Sequence, residues 1–289
     1  MTAPLSLEET TALLLDEHNK EYDGSIPPKA LHKILYFAAE ELDREHVDGE
    51  LPLFWYMYGA VVKTANTGVT KVDTDQGQRI ACSTDVSDIE VPNTVLQRSR
   101  RALSRSLERY YDLGLDDLTD EMYKNAPYEV QRIYRRLDKQ LEIATDEEQT
   151  TLFGAKNKQP TRESLYAFVE QFPLDDFPEY EDDLYIWYRL MSAELDSDDY
   201  DPDRATKLAK MFWRLFCLEL ACRENSGVSR AEIAAELGEE SITDAKQRLR
   251  SEFQRLEREK ARTNASDAEV ALKAAEVFVA PHLDINLPV

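Results

Sequence analysis

The chain has 289 residues and a formal net charge of −22, because 57 acidic side chains outnumber 35 basic ones. This length is about two domain-lengths, which allows a large core without disulfide or metal staples, and the odd number of cysteines, three, suits buried thiols in a reducing cytoplasm. The chain has only nine glycines, which argues against Gly-rich phosphate loops. It has no apolar run of about 20 residues, which argues against a membrane span, and its N-terminus lacks the basic region of a signal peptide.

The acidity of the chain predicts a salt-rich habitat. Its basic residues comprise 21 arginines and only 14 lysines. An acidic, lysine-poor surface stays soluble when molar salt shortens the Debye length to about 3 Å, so the composition indicates a halophilic protein. The cysteines and the N-terminal residues are the basis for expecting a cytoplasmic location. The acids are concentrated in residues 140–203, with 18 acidic and 4 basic side chains, whereas 93–139 and 204–289 escape this bias.

The first half of the chain predicts helices around one aromatic segment. Ser6-Leu-Glu-Glu9 is a capping box that begins a helix, and Pro27-Pro28 fit the first turn of the next one. Residues 51–62 are rich in aromatic and β-branched side chains and form either a short strand or a buried irregular segment, and 63–93 form a loop or a small hairpin. The helices are predicted at about 7–22, 28–46, 93–112, 116–124 and 127–145.

The second half predicts a second helical unit after a linker at 146–160. Asp201-Pro202 is a good cap and first turn for a long helix, and Ser229 and Ser266 each begin a capping sequence. A short helix is predicted around 165–172, an apolar stripe marks the next at 184–195, and a long helix ends at Cys222. A short helix from Ser229 ends at Gly238, the next contains 242–256, and a separate last helix begins at Ser266. The expected fold class is therefore mainly α. It comprises a helical N-terminal domain (1–145) with the aromatic-rich strand or irregular segment, and a helical C-terminal domain (161–289).

Two helices of the first half carry cationic stripes opposite their apolar faces. Such stripes can track a phosphate backbone or receive an acidic protein, because arginine offers a planar fork that matches phosphate and carboxylate. The alternative is that they neutralise the chain's own acidic segment, 140–203. The first stripe consists of Arg98, Arg101, Arg105 and Arg109, and the second of Arg132, Arg135, Arg136 and Lys139.

Residues 229–262 resemble a helix-turn-helix unit, with Gly238 near the turn. The second helix of the unit carries Arg248, Arg255 and Arg262 among its basic residues, which would contact DNA. A plain helical hairpin is the alternative, since Glu239 and Glu240 would repel phosphates beside the reading helix.

No motif in the chain indicates catalysis or a bound cofactor. The four histidines are far apart without a metal-ligand spacing, and no nucleophile motif occurs. Asp199, Asp201 and Asp203 begin an EF-hand-like pattern, but Arg204 and Lys210 stand where glycine and glutamate are needed. We therefore expect no metal, no cofactor and no enzymatic activity.

Two aromatic blocks resemble a known family. Ala30-Leu-His-Lys-Ile-Leu-Tyr-Phe37 and Phe54-Trp55-Tyr-Met-Tyr58-Gly59-Ala60-Val61 are similar to the signatures of the Panacea domain, which includes SocA-like antitoxins and phage-associated proteins. Ala60 replaces the usual proline, and the resemblance covers residues 8–141. The positions that match are Lys33, Tyr36, Phe37, Trp55, Tyr58, Gly59 and Val61.

The resemblance implies an antitoxin or defence-associated protein that binds and neutralises or scaffolds a protein partner, such as a toxin, without catalysis. It supplies no active-site residues. From the residues alone, the aromatic side chains of both blocks are expected to pack in the core. The second hypothesis for the whole chain is a DNA-binding transcriptional regulator that uses 229–262 and the arginine-rich helix faces.

Overall fold

Helices dominate the protein, which confirms the mainly α fold class. Its structure, a computed structural model, describes residues 4–74, 77–150 and 158–278, with side chains described except at 74, 146–150 and 263–278. The first part of the chain contains α1 (Leu7–Glu21), α2 (Pro28–Arg44), β1 (Leu53–Tyr56), β2 (Gly59–Val62), β3 (Val69–Thr74), β4 (Gly77–Cys82), α3 (Asn93–Tyr110), α4 (Leu115–Lys124) and α5 (Glu129–Thr150). The second part contains α6 (Gln159–Glu170), α7 (Glu181–Asp196), α8 (Pro202–Arg223), α9 (Arg230–Glu236) and α10 (Ile242–Phe278).

The predicted helix starts are confirmed by their caps. Reciprocal bonds join Ser6 to Glu9 at the start of α1, and Ser229 to Glu232 at the start of α9. The Asp201 side chain accepts backbone N–H groups at the start of α8. Each cap satisfies amides that the first helical turn leaves unpaired, so these local sequences fix where the helices begin.

Both ambiguous segments of the first half form antiparallel hairpins. Residues 51–62 fold as β1 and β2, with Tyr56 opposite Gly59 across a two-residue turn. Residues 63–93 contain the β3–β4 hairpin, the second of the two predicted alternatives. Strand β1 also pairs with residues 224–226: the Trp55 N–H donates to Glu224 O at 3.0 Å, and the Ser226 N–H donates to Leu53 O at 2.7 Å.

Two predicted helix boundaries are wrong. Helix α5 continues to Thr150, through the first five residues of the predicted 146–160 linker, of which 151–157 lie outside the described residues. Helix α10 is continuous to Phe278, so no separate helix begins at Ser266. A capping sequence begins a helix only where the chain is not already helical, and no glycine or proline interrupts α10 before it.

The hydrophobic core contains residues from both sides of 146–160. The Tyr134 ring on α5 stacks on Trp213 of α8 at 4.1 Å between centroids, and Phe168 of α6 lies edge-on to both rings. These three aromatic side chains are fully buried. The division into domains 1–145 and 161–289 stays a prediction, and the two segments share extensive apolar contacts.

No helix in the part of the chain that the structure describes is long and apolar enough to cross a membrane.

Candidate functional site

A cavity of about 680 Å³ lies beside the turn that joins β1 to β2. Helices α2, α4 and α5 form its other walls. Four positions of the family resemblance line it, namely Lys33, Tyr58, Gly59 and Val61. Sequence positions 33 and 58–61 are thus brought together by the packing of α2 on the β1–β2 hairpin.

The turn at the cavity has an unusual backbone that several side chains hold in place. Met57 has φ +33° and Gly59 φ +120°, conformations that side chains with a Cβ disfavour. A Cβ on Gly59 would lie 2.0 Å from the Met122 sulfur, so only glycine fits there. The Trp213 indole N–H donates to Met57 O at 2.8 Å, and the Tyr123 hydroxyl donates to the same oxygen.

Lys33 places a cation in the cavity wall. Its residue is 6% exposed and its ammonium donates to Tyr58 O. No carboxylate among the described residues forms an ion pair with it. Burial, with a smaller contribution from the positive charge of Arg135, lowers the pKa of Lys33 to about 8.

His32 is a further titratable group on the α2 side of the cavity, next to Lys33. Its Nδ1 accepts the Val62 N–H at 3.2 Å, which requires an unprotonated Nδ1. Burial lowers the pKa of His32 to about 4, so the ring is neutral at pH 7. The sequence analysis did not single this histidine out, although it lies directly beside Lys33.

The remaining motif aromatics pack in the core, as the residues alone predicted. Phe37 is 2% exposed and stacks on Tyr110 at 3.9 Å, and Trp55 is 4% exposed and lies edge-on to Tyr123. Tyr36 is half-buried against the same core.

The expectation that Arg135 lies on an exposed cationic face is wrong. Arg135 is 7% exposed, because α4 packs over this side of α5. Its Nε donates to Asp120 at 2.8 Å, and a second nitrogen donates to Asp116. Lys139 pairs with the same two carboxylates, 3.2 Å from Asp116. A cluster of three carboxylates on α4, which includes Asp117, therefore has two cations as its partners.

The other members of the second stripe face solvent more freely. Arg132 pairs with Glu129 and donates to Ala126 O at 3.0 Å. Arg136 is exposed. The stripe is therefore broken by the burial of Arg135.

The first stripe is exposed opposite the buried leucines of α3, as predicted. Arg101 pairs with Glu45 at 3.4 Å, and Arg105 pairs with Glu45 and lies 3.5 Å from Glu41. Both carboxylates belong to the α2 region, so the prediction that 140–203 supplies the partners is wrong for these two arginines. Within the residues described, Arg98 and Arg109 have no ion pair, and Arg109 lies over the Tyr110 ring.

Arg100, which the helical wheel did not place in the stripe, makes stronger contacts. Its guanidinium lies 2.5 Å from Asp16 and also pairs with Glu17 on α1. The Ser104 hydroxyl donates to Glu17 at 3.1 Å. This network ties α3 to α1.

Two of the three arginines singled out in the 229–262 unit form ion pairs within the protein. Arg248 pairs with Glu239, and Arg255 lies 2.6 Å from Glu259 and also pairs with Glu252. Arg262 is exposed.

Helix α9 of the same unit is fastened to the loop after β2. Glu236 accepts the backbone N–H groups of Thr64 and Ala65, each at 2.6 Å. The 229–262 unit is therefore fixed to the first half of the chain.

Asp138 is a buried carboxylate close to the cavity that sequence reasoning missed. It is 0% exposed, and neither of its oxygens has a hydrogen-bond partner. Arg135 at 3.7 Å and Lys210 at 4.0 Å are its cationic neighbours. Burial raises the pKa of Asp138 to about 6. The signal for it was its spacing, four residues after Tyr134 on the apolar face of α5.

The chain matches no protein-family model, no curated protein and no solved structure. The resemblance to the Panacea domain therefore stays a prediction.

Proposed function

We propose that the chain is a non-enzymatic protein of the antitoxin or defence-associated kind, and that it binds a protein partner at the cavity beside the β1–β2 turn. The observation that carries this proposal is the convergence of Lys33, Tyr58, Gly59 and Val61 on one cavity. These residues come from two blocks of sequence that resemble one family of partner-binding proteins.

The rim of the cavity supports the same proposal. Tyr58 is 39% exposed and Leu115 is 44% exposed, so two large apolar side chains face solvent beside one opening. Exposed apolar groups of this kind are common at protein interfaces, where aromatic side chains contribute much of the binding energy. The turn that carries Tyr58 is held by Trp213 and Tyr123, so this part of the rim is preorganised.

The test is co-expression with the product of a neighbouring gene whose expression alone is toxic. The wild-type protein should suppress the toxicity and co-purify with that product in a fixed stoichiometry. The double variant Tyr58→Ser, Leu115→Ser should lose both effects. Tyr185→Ser is the matched control, because Tyr185 is 60% exposed on α7 and does not line the cavity. Repeated recovery of the wild-type protein alone from its host would contradict the proposal.

The contacts favour partner binding over the second hypothesis, DNA binding. Arg248 and Arg255 already pair with neighbouring carboxylates, and Arg135 is buried, so phosphate contacts would have to replace internal ion pairs. A DNA-binding protein should show log affinity falling by about 0.9 per phosphate contact for each unit of log salt. Binding across a salt series that is weakened by Arg248→Ala, Arg255→Ala and Arg262→Ala together would restore the DNA-binding hypothesis.

A further inference from the structure

We propose that the cavity beside the β1–β2 turn binds a single carboxylate attached to an apolar group, with the Lys33 ammonium as its counter-charge. The inference rests on the proposed function in one respect: the carboxylate is taken to belong to the protein partner, either at its chain end or on an acidic side chain. The preference for a carboxylate with an apolar group is argued from the cavity residues alone, and it is tested with small molecules in the absence of the partner.

The first observation is that the Lys33 ammonium has more N–H donors than hydrogen-bond acceptors around it. An ammonium has three N–H donors, and the only acceptor found among the described residues is Tyr58 O. Among the described residues, the charged neighbour that shifts the pKa of Lys33 is Arg135, which is also a cation. A buried charge without an opposite charge is costly, so an entering anion would be stabilised there.

The second observation is the composition of the walls. Met57, Ala60, Val61 and Leu115 place apolar surface around the ammonium. Small anions such as chloride leave this surface in contact with water, whereas a ligand with an apolar body covers it. The cavity therefore favours a carboxylate that carries an apolar group.

The third observation is the charge of the other residues in the wall, which decides between a singly and a doubly charged anion. Asp116 and Glu142 also line it, and Arg135 is already paired with two carboxylates of α4. Asp116 and Arg135 compensate one another, so the buried Lys33 offers one positive charge, which a carboxylate neutralises and a phosphate dianion exceeds. The excess negative charge of the phosphate would face the carboxylate of Glu142. This distinguishes the site from a phosphate-binding or nucleotide-binding pocket.

The experiment is calorimetric titration of the full chain with N-acetyl-phenylalanine, with its neutral amide and with inorganic phosphate, at low and at molar salt. We expect the acid to bind at least about 10-fold more tightly than the amide, the ratio for one hydrogen-bonded charge pair, and phosphate to bind more weakly than the acid. Lys33→Met should remove this preference. Lys29→Met is the matched control, since Lys29 lines the same cavity but is exposed, and it should change the affinity by less than about 3-fold.

A second measurement on the wild-type protein covers the case in which Lys33→Met does not fold. The affinity for the acid should fall as the pH rises through about 8, where Lys33 loses its proton, while affinity for the amide stays constant. Equal binding of acid and amide, tighter binding of phosphate, or a pH-independent preference for the acid would each overturn the proposal. None of these results depends on the toxic partner, so the two proposals fail separately.

A last comparison identifies the source of the carboxylate. N-acetyl-phenylalanine presents its carboxylate as a chain end does, whereas N-acetyl-glutamyl-phenylalanine amide presents it as an acidic side chain does and keeps the same apolar ring. Tighter binding of the first assigns a partner's C-terminus to the cavity, and tighter binding of the second assigns an acidic side chain.

Discussion

Two groups near the cavity, the buried Asp138 and the half-buried His32, have pKa values that their surroundings shift away from the ordinary ones. Asp138 sits where its carboxylate has no hydrogen-bond partner, and His32 uses its Nδ1 as an acceptor. In each case the folded protein favours the neutral form, because burial removes the water that would stabilise the charge. The two groups therefore affect stability in opposite pH directions.

For Asp138, the substitution Asp138→Asn should stabilise the protein at neutral pH. The folded pKa of about 6 lies above the ordinary 3.8, so stability contributed by the protonated form is lost as the pH rises through 6. Asparagine is neutral at every pH. At pH 7.5 the free energy of unfolding should rise by up to about 3 kcal/mol, and the gain should vanish below about pH 4. Chemical denaturation across pH measures it.

The matched control for Asp138→Asn is Asp120→Asn. Asp120 accepts from Arg135 at 2.8 Å and pairs with Lys139, so this substitution should lower stability at neutral pH. If both variants are destabilised at pH 7.5, the account of Asp138 as an unfavourable buried charge is wrong.

For His32, acid should destabilise the wild-type protein more than the variant His32→Asn. The folded pKa of about 4 lies below the ordinary 6.5, so protons bind the unfolded chain first, and stability falls as the pH drops below 6.5. Between pH 7 and pH 5 the loss from this group is about 2 kcal/mol. The asparagine side-chain oxygen can accept the Val62 N–H without titrating. Equal pH dependence of unfolding in the two proteins would contradict the assignment.

At the scale of elements, helix α3 is fastened to α1 by an ion-pair network and to α2 by more exposed pairs. Arg100 has a side chain that is 26% exposed and faces Glu17, which is 11% exposed. Arg98 projects into solvent from the same helix. Arg100 therefore contributes to the contact between α3 and α1, whereas Arg98, two residues away, does not.

Arg100→Gln should lower the free energy of unfolding by about 1–2 kcal/mol, because it leaves the buried Glu17 and the partly exposed Asp16 with Lys20 as the one cation paired with them among the described residues. Arg98→Gln should change it by less than about 0.5 kcal/mol. The difference between the two should shrink in molar salt, since salt screens the exposed part of the network. Thermal melts of both variants at low and molar salt measure this. A larger effect of Arg98→Gln would contradict it.

Helix starts could be predicted from the sequence because their causes are local. The caps at Ser6, Asp201 and Ser229 act within four residues, and the structure confirms all three. The burial of Arg135 could not be predicted in this way. A helical wheel places it opposite the apolar face of α5, and only the packing of α4 on that side covers it.

The residues of the cavity could be predicted only in part. Lys33 and Gly59 were selected by resemblance to a family, whereas His32 and Asp138 were missed because their protonation depends on elements distant in sequence. Periodicity shows that Asp138 shares a face with Tyr134, but it does not show which neighbours surround that face.

At the scale of the whole molecule, extensive contacts join the two halves of the chain. The Tyr134–Trp213 stack and the pairing of β1 with 224–226 join residues far apart in sequence. We expect a protein carrying a protease site in place of 151–157 to elute as one species from gel filtration after complete cleavage. Trp213→Ala, which removes a fully buried side chain at a cost of about 3–5 kcal/mol, should let the cleaved fragments separate. Separate elution of the fragments without that substitution would instead support two independent domains.

The pairing of β1 with Glu224 also determines how long the first half of the chain waits, during synthesis, for the residues that complete its fold. Ribosomes add about 5–20 residues per second, so the roughly 80 residues between 145 and Glu224 take about 4–16 s to make. During that interval the nascent first half exposes Tyr134 and the free edge of β1 without the groups that cover them. We expect chaperones that hold apolar surface to bind the growing chain. Its folding is completed only after α8 and α9 have left the ribosome, because Glu236 of α9 binds the loop after β2.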